Sequence, residues 1–367
     1  MSLEQCGNHD QYGDRAEANG EWEFAGAIAV DIYNPLLFDD NACVFESGHY
    51  SMLSLSDFGY RWRLPLTDDA YSGGPDFCAG GFIYATLNGR VRAIHTETGK
   101  ITAIFEDPDC VEICWHSDRL ILVGHGESTL LAFDLKSGRR LWRADGEVWI
   151  NSVYTLASYV VVERCEDGIG FIEVLAEASG ERVAQIDPMH PLIQGDSRFQ
   201  LKDWSLSRSN RCMPLSTIGD SLMITYTDGN LARLRLPSLE IVWVCALPAR
   251  ADNVIYHDDK LYATISGDAD VVTNPLTCID WATGQILWAL EQPFTPAGMA
   301  HAIMIGKFVI AGRGEHAAAY DVENRRFVWH YNDGVRRFGL GLSASGSWLV
   351  SHGHPASHEI HVFKRRD

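Results

Sequence analysis

The sequence has no long uninterrupted apolar run. A membrane-spanning helix needs ~18 consecutive apolar residues, and the richest stretch of this chain is broken by His301 and Lys307. The first twenty residues contain no apolar segment of the kind that a signal peptide or lipid anchor requires. These features predict a soluble cytoplasmic protein with no membrane partner.

Positive charge is also scarce. The 367 residues include 30 Lys and Arg against 49 Asp and Glu, which gives a net charge of −19. Nucleic acids and anionic membranes are bound by basic surfaces that release counterions. The charge balance therefore predicts no nucleic-acid partner and favours a partner that is itself basic.

The nine cysteines do not form a disulfide framework or a zinc motif. Their number is odd, they are scattered, and most of them lie inside apolar runs. The one close pair, Cys110 and Cys114, has no second pair nearby, although a structural zinc site needs four ligands. We interpret the cysteines as small hydrophobic side chains of the core or of loops.

Long amphipathic helices are absent, and a repeat of about 40 residues takes their place. Each copy has apolar β-type runs, a turn resembling Asp-x-x-Thr-Gly, and a strand that ends in a Trp slot. The predicted slots are Trp22, Trp62, Ala103, Trp142, Ala184, Trp243, Trp288 and Trp329, and the predicted turn glycines are Gly99, Gly138, Gly180 and Gly284. The glycine permits positive φ, and the Trp packs between neighbouring repeats.

The spacing of the slots predicts a closed ring. They lie 39–45 residues apart, except for one interval of 59, and the strand missing at the C-terminus is supplied by the segment around Trp22. Closure removes open sheet edges. We therefore predict an all-β, eight-bladed β-propeller over residues 20–367, closed by an N-terminal strand that completes the last blade, after a flexible tail at 1–19. Deletion of residues 1–26 should destabilise the whole ring.

The segments Phe133–Trp142 and Ile279–Trp288 resemble the repeat of the pyrroloquinoline-quinone-like propellers. That superfamily includes quinoprotein alcohol dehydrogenases and the lipoprotein subunit of the outer-membrane barrel-assembly machinery. The resemblance extends over the chain after residue 20 and implies the propeller fold. The enzymes of the superfamily also have adjacent cysteines and a calcium site, whereas no two cysteines are adjacent here. No cofactor is predicted.

Other chemical motifs are incomplete. His352, His354, His358 and His361 surround a Gly and a Pro, and we interpret them as a polar turn rather than a metal site. Asp268 and Asp270 open a calcium-like loop that lacks its distal Glu. The segment around Ser343 lacks the second glycine and the helix of a nucleophile elbow. We therefore predict no catalytic or metal-binding residues.

The interval of 59 residues indicates an insertion at about 187–220. Long insertions in short-loop folds are functional or disordered, and this one is rich in aromatic and basic residues. The structural interpretation is that the insertion, through Trp204, covers the outer edge of a blade. The functional interpretation is a partner-binding loop, together with the equivalent junction at 65–77. The candidate interaction residues are Arg198, Phe199, Trp204, Arg208, Arg211, Tyr71, Asp68 and Asp69.

These observations predict a non-enzymatic protein-binding scaffold in the cytoplasm. One specific version is an acidic antidote, of the immunity type, that neutralises a basic toxin. The alternative is a quinone-dependent or other enzyme that uses the axial face of the propeller.

Overall fold

The computed structural model describes residues 21–29, 35–46, 48–65, 77–87, 90–110, 115–116, 119–125, 128–146, 149–156, 158–166, 169–186, 213–225, 229–248, 251–265, 276–290, 302–313, 316–332, 342–351 and 359–366. The secondary structure in these ranges consists of β-strands joined by turns. Strands β2 to β29 form seven sheets of four consecutive antiparallel strands each, and β30, β31, β32 and β1 form one more. The all-β class is confirmed.

The first four sheets follow one another along the chain. Sheet 1 contains β2 (Leu36–Phe38), β3 (Asn41–Glu46), β4 (His49–Ser54) and β5 (Tyr60–Pro65). Sheet 2 contains β6 (Phe77–Ala79), β7 (Phe82–Leu87), β8 (Arg90–His95) and β9 (Ile101–Ile104). Sheet 3 contains β10 (Trp115–His116), β11 (Leu120–His125), β12 (Thr129–Asp134) and β13 (Arg140–Ala144). Sheet 4 contains β14 (Trp149–Leu156), β15 (Tyr159–Glu166), β16 (Ile169–Ala176) and β17 (Arg182–Ile186).

The remaining sheets complete the ring. Sheet 5 contains β18 (Met213–Ile218), β19 (Ser221–Thr225), β20 (Asn230–Arg235) and β21 (Glu240–Ala246). Sheet 6 contains β22 (Ala251–His257), β23 (Lys260–Ile265), β24 (Leu276–Asp280) and β25 (Ile286–Ala289). Sheet 7 contains β26 (Ile303–Ile305), β27 (Phe308–Arg313), β28 (His316–Asp321) and β29 (Arg326–Asn332). Sheet 8 contains β30 (Leu342–Ser345), β31 (Trp348–Ser351), β32 (Glu359–Arg365) and β1 (Trp22–Ala29).

The ring closes through its first strands. Neighbouring sheets contact each other through the first strand of each sheet, and β2 of sheet 1 contacts β30 of sheet 8. The middle strands are buried on both faces, as in β19 and β28, because each sheet is covered by two neighbours. The fourth strands, such as β5 and β9, are largely exposed. The core is therefore a series of apolar layers between adjacent sheets.

The prediction that Trp22 occupies the slot of the last sheet is wrong. In sheet 3 the slot residue Trp142 pairs with Ala132, just before a bulge. The matching residue of β1 is Gly26, which pairs with Val362 beside the equivalent bulge. Trp22 lies four residues earlier, at the position that Gly138 holds in sheet 3. The last repeat is therefore present as a sheet but is not equivalent to the others.

Two smaller boundaries also differ from the sequence prediction. The outermost strands continue past the Trp slot, because β13 extends to Ala144. The predicted insertion at 187–220 is too long at its C-terminal end, since Met213–Ile218 forms β18, the first strand of sheet 5. β-type residues there pair with β19 and belong to the regular repeat.

Candidate interaction surfaces

The strand order separates two ends of the ring. In an antiparallel four-stranded sheet, the turns between strands one and two and between strands three and four lie at one end. The connections between strands two and three, and from strand four to the next sheet, lie at the other. We call these the short-turn end and the long-connection end. The insertion joins β17 to β18, and residues 66–76 join β5 to β6, so both belong to the long-connection end.

The candidate interaction residues of the sequence analysis lie outside the described residues. These are Arg198, Phe199, Trp204, Arg208, Arg211, Tyr71, Asp68 and Asp69. Their placement at one end of the ring and their roles stay predictions.

Charge is distributed unequally between the two ends. The connections between strands two and three, and from strand four to the next sheet, contain 21 Asp and Glu residues and seven Lys and Arg residues. The turns at the short-turn end contain 11 Asp and Glu residues and six Lys and Arg residues. Four of the seven basic residues belong to the insertion, namely Arg198, Lys202, Arg208 and Arg211. The acidic excess of these segments therefore belongs mainly to the connections that begin and end at the long-connection end, and the insertion is the basic exception among them.

Two of the acidic residues in these connections, Asp107 and Asp109, are held by an ion pair. The guanidinium of Arg140 on β13 lies 2.7 Å from carboxylate oxygens of both Asp107 and Asp109, which follow β9. The hydrogen bond from Arg140 lowers the pKa of Asp107 against the opposing effect of burial. Through Arg140 the two carboxylates link sheet 2 to sheet 3.

The predicted Trp slots and glycines meet across the junctions between sheets. A Cβ added to Gly99 would lie 2.6 Å from the ring of Trp62 in the preceding sheet. Gly180 stands in the same relation to Trp142, and Gly284 to Trp243, at 2.6 and 2.7 Å. All three glycines have φ near +70°, which favours glycine over other residues.

Each of these indoles also donates a hydrogen bond to the backbone of the next sheet. The acceptors are the carbonyls of Thr96, Glu177 and Trp281, at 2.6, 2.7 and 2.9 Å. They occupy the same place in the repeat, three residues before the glycine. The slot Trp therefore acts as a structural residue that stacks on a glycine and bonds to its turn.

Three other junctions depart from the Trp–Gly pair at one or both positions. At the junction of sheets 2 and 3 the slot is Ala103, and Phe105 covers Gly138 instead, at 2.9 Å from an added Cβ. At the next irregular junction the slot is Ala184, and the glycine position holds the buried Leu239 at a φ of 58°. Between sheets 6 and 7 the guanidinium of Arg325 lies 5.7 Å from the Trp288 ring.

The junctions of sheet 8 are the most altered. Trp22, in the glycine position, makes an edge-to-face contact with Trp329 of sheet 7, with ring centroids 6.1 Å apart. Gly26, in the slot, faces Phe58, which occupies the glycine position of sheet 1 at a φ of 55°. A Cβ on Gly26 would lie 2.7 Å from the Phe58 ring. The large and small residues are therefore exchanged here.

Two cavities lie at altered junctions. One, of about 280 Å³, is lined by Phe82, Tyr84, Ala103, Phe105 and Leu135 between sheets 2 and 3. The other, of about 230 Å³, lies between sheets 6 and 7 beside Trp288 and Arg325, and Lys260, Lys307 and Glu323 line it as well. Sequence reasoning identified Ala103 as a degenerate slot but did not infer the space that the missing indole leaves.

Two residues of the polar motifs, His361 and Ser343, lie in described strands. His361 is buried, bonds to the Tyr331 hydroxyl at 3.1 Å and packs on Phe24, so its ring belongs to the core of sheet 8. The other three histidines of that motif, and Asp268 and Asp270, lie outside the described residues. Ser343 belongs to β30. Within the described ranges, no group of three or more His, Cys, Asp or Glu side chains could hold a metal ion.

The cysteines confirm their interpretation as core residues where they are described. Cys43, Cys110, Cys245 and Cys278 are buried, and Cys78 is half-buried. Burial raises the pKa of the Cys245 and Cys278 thiols to about 11. Neutral thiols are poor nucleophiles and metal ligands.

No helix among the described residues is long and apolar enough to cross a membrane. No curated protein has a sequence that matches this chain.

Solved structures share the architecture at low sequence identity. BamB from Moraxella catarrhalis is 16% identical over 94% of this chain and 99% of its own, with a TM-score of 0.58. The computationally designed Ika8 protein is 11% identical over 93% and 98%, with a TM-score of 0.67. Sqt1 from Saccharomyces cerevisiae is 8% identical over 95% and 100%, with a TM-score of 0.65. At these identities the similarity concerns the fold alone.

A family model matches the sequence more directly. It is described as outer membrane protein assembly factor BamB, PQQ_2, and it matches residues 47–190 and 111–331. The two matches overlap and together extend over most of the repeats, which confirms the resemblance to the pyrroloquinoline-quinone-like propellers. The chain is a β-propeller scaffold that belongs to the PQQ_2 family of outer membrane protein assembly factor BamB.

Proposed function

We propose that this propeller is a non-enzymatic scaffold whose long-connection end binds a basic protein. The observation that carries the proposal is the acidic composition of the connections that begin and end there, with 21 acidic residues against seven basic ones. Solved structures similar in fold include BamB, whose family is described as an assembly factor. A rigid ring with long connections on one face is suited to holding a second protein.

Electrostatics supports a basic partner. Complementary charge accelerates association and excludes partners of like charge, whereas buried aromatic and arginine side chains supply most of the binding energy. The acidic connections, with Asp68 and Asp69 among them, provide the attraction. Tyr71, Phe199 and Trp204 provide anchor side chains at the same end, and Arg198, Arg208 and Arg211 provide donors for carboxylates or carbonyls of the partner.

The proposal has one finer version, which rests on the same charge, and one alternative function competes with it. In the first, the scaffold is a cytoplasmic antidote that neutralises a basic toxin. In the second, the axial face carries a quinone-dependent or other enzymatic activity. Purified protein mixed with quinone and calcium separates them, because stoichiometric binding with turnover of an alcohol would contradict the scaffold and support the enzyme.

The proposal is tested by matched charge variants. Partners are captured from cells of the source organism with the wild type, with D68N/D69N/D268N/D270N at the long-connection end, and with D39N/E97Q/D258N/D259N at the short-turn end. We expect a basic partner that the first variant loses and the control retains. Calorimetry on the purified pair should show affinity falling by about tenfold or more between 50 and 200 mM salt. An acidic partner, or equal loss with both variants, would contradict the proposal.

Trp204→Ala tests the anchor. We expect binding of that partner to weaken by ~2 kcal/mol or more, with little change in melting temperature, because the side chain contributes to the interface and not to the core. Calorimetry and thermal unfolding measure the two quantities. Normal binding together with a loss of several degrees would assign Trp204 to the cover of a blade edge instead.

A further inference from the structure

The cavity between sheets 2 and 3 is large enough to hold an aromatic group. Its volume is about 280 Å³, and its wall is largely apolar. An engineered apolar cavity of about 150 Å³ binds benzene. Phe82 and Ala103 on its wall are partly exposed, and Lys136 stands at its edge, so the cavity opens to the surface at the short-turn end.

The regular junctions have an indole at the position that corresponds to this cavity. At three regular junctions the slot indole stacks on the turn glycine and donates to a carbonyl three residues before it. In sheet 3 the equivalent carbonyl belongs to Leu135, which accepts a long hydrogen bond of 3.4 Å from the Tyr84 hydroxyl. Phe105 covers Gly138, but Ala103 leaves the slot itself without a ring. The junction therefore retains both the space and the acceptor of an indole.

The charged residues near the opening of the cavity indicate which residues should flank the bound aromatic group. The turn between β12 and β13 contains Lys136 and Arg139, both exposed, and follows Asp134, whose carboxylate accepts hydrogen bonds from Ser137 of the turn. From Asp134 to Arg139 the segment carries two basic side chains and one acidic side chain, in a chain of net charge −19. A tryptophan beside acidic residues would place its indole in the cavity and its carboxylates near these two cations.

We propose that the cavity is a docking site for a tryptophan that is flanked by acidic residues in a partner polypeptide. The inserted indole takes the place of the missing slot residue, stacks against Phe105 and donates its N–H to the carbonyl of Leu135. This site is at the opposite end of the ring from the acidic surface and binds a segment of opposite charge. The scaffold thereby has two docking points for chemically different segments.

The direct test uses a fluorinated probe that is distinct from the protein's own tryptophans. The probe is an acetylated, amidated tripeptide with 5-fluorotryptophan between two aspartates, followed by fluorine NMR. For a fragment of this size we expect a dissociation constant on the order of 0.1–1 mM. The same peptide with two lysines should bind at least about threefold more weakly, and a phenylalanine analogue should also bind more weakly because it lacks the N–H donor.

Variants of the cavity identify the site. Ala103→Trp fills it from within and should weaken probe binding at least about tenfold, and Ala103→Leu, which adds less volume, keeps the test informative if the larger residue does not fold. Val183→Trp is the matched control, because Val183 is exposed on β17 and the added indole fills no cavity. Lys136→Glu should weaken the acidic probe about threefold or more, whereas Lys100→Glu, in the turn of sheet 2, should not.

The outcomes separate this proposal from the scaffold function. Saturable binding of the probe that Ala103→Trp or Ala103→Leu removes and Val183→Trp retains supports the docking site. Absence of probe binding, or equal binding by the Ala103 and Val183 variants, overturns it. Because the acidic end is intact in all of these variants, a basic partner should bind them with unchanged affinity, and its loss from the D68N/D69N/D268N/D270N variant alone concerns the proposed function.

Discussion

The junction of sheets 1 and 2 and the junction that closes the ring pack the same two positions with opposite residues. In the first, the large Trp62 meets the small Gly99. In the second, the small Gly26 meets the large Phe58. The junction of sheets 4 and 5 uses Ala184 against Leu239 in the same way. Close packing constrains the combined volume across a junction and not the residue on either side.

The comparison also shows what each arrangement requires. At a regular junction the glycine has a positive φ and its turn accepts the indole N–H. At the closing junction Phe58 itself adopts a φ of 55°, a conformation that costs a non-glycine residue about 1 kcal/mol or more. The burial of its ring against Gly26 offsets that cost. A change of residue at the slot position therefore requires a compensating change at the glycine position.

The largest expected effect is that of removing the closing strand. Deletion of residues 1–26 removes Trp22, which is fully buried, and exposes the edge of β32. We expect the melting temperature to fall by about 10 °C or more, measured by calorimetry. Deletion of residues 1–19 leaves β1 complete and is the control. If both truncated proteins melted like the full-length chain, closure by β1 would be wrong.

The exchanged pair is tested by a double-mutant cycle. Gly26→Trp alone places a ring against Phe58 and should cost about 3 kcal/mol. Phe58→Gly alone relieves the backbone but removes buried area and should cost about 1–2 kcal/mol. The double variant recreates the regular Trp–Gly pair and should be more stable than the sum of the single changes predicts, as determined by denaturant unfolding. Additive losses would show that the two positions are independent.

The contribution of the stacked Trp is isolated by two glycine variants. Gly99→Ala has a φ of +67° and its Cβ meets Trp62, whereas Gly48→Ala has a φ of +73° with nothing within 4 Å. Both pay about 1 kcal/mol for the backbone conformation, and we expect Gly99→Ala to lose about 2 kcal/mol more. Equal losses in urea unfolding would mean that the indole moves aside without cost.

The smallest expected effect concerns the turn that precedes the Trp slot of sheet 7. Burial raises the pKa of Asp321, but bonds from Asn324 and Lys307 outweigh burial and lower the pKa to about 2. A carboxylate with a lowered pKa stabilises the fold above its ordinary pKa of 3.8 and loses this contribution as the pH falls toward 2. Asp321→Asn should therefore cost on the order of 1–2 kcal/mol at pH 7 and less at pH 3. A pH-independent difference in the free energy of unfolding would contradict this origin.

Sequence reasoning was most accurate where the repeat is regular. Trp142, Trp243, Gly180 and Gly284 were predicted as residues of the repeat, and in the structure Trp142 meets Gly180 and Trp243 meets Gly284 across junctions. Sequence reasoning assigned Trp22 to the slot because it is an aromatic residue about one repeat length before Trp62. The bulge that identifies Gly26 as the slot residue is visible only in the pairing of β1 with β32. Phe105 and Leu239 had no such signal, because they compensate for changes in another sheet.

The sequence alone determined the all-β class, the turn positions, the acidic balance and the positions of the long connections. These depend on local residue types and on spacing along one chain. Only the tertiary structure decided which side of each junction supplies the large residue, where a cavity remains beside Ala103, and which end of the ring collects the acidic connections. Those features arise from volumes and charges that residues far apart in sequence share after the ring has closed.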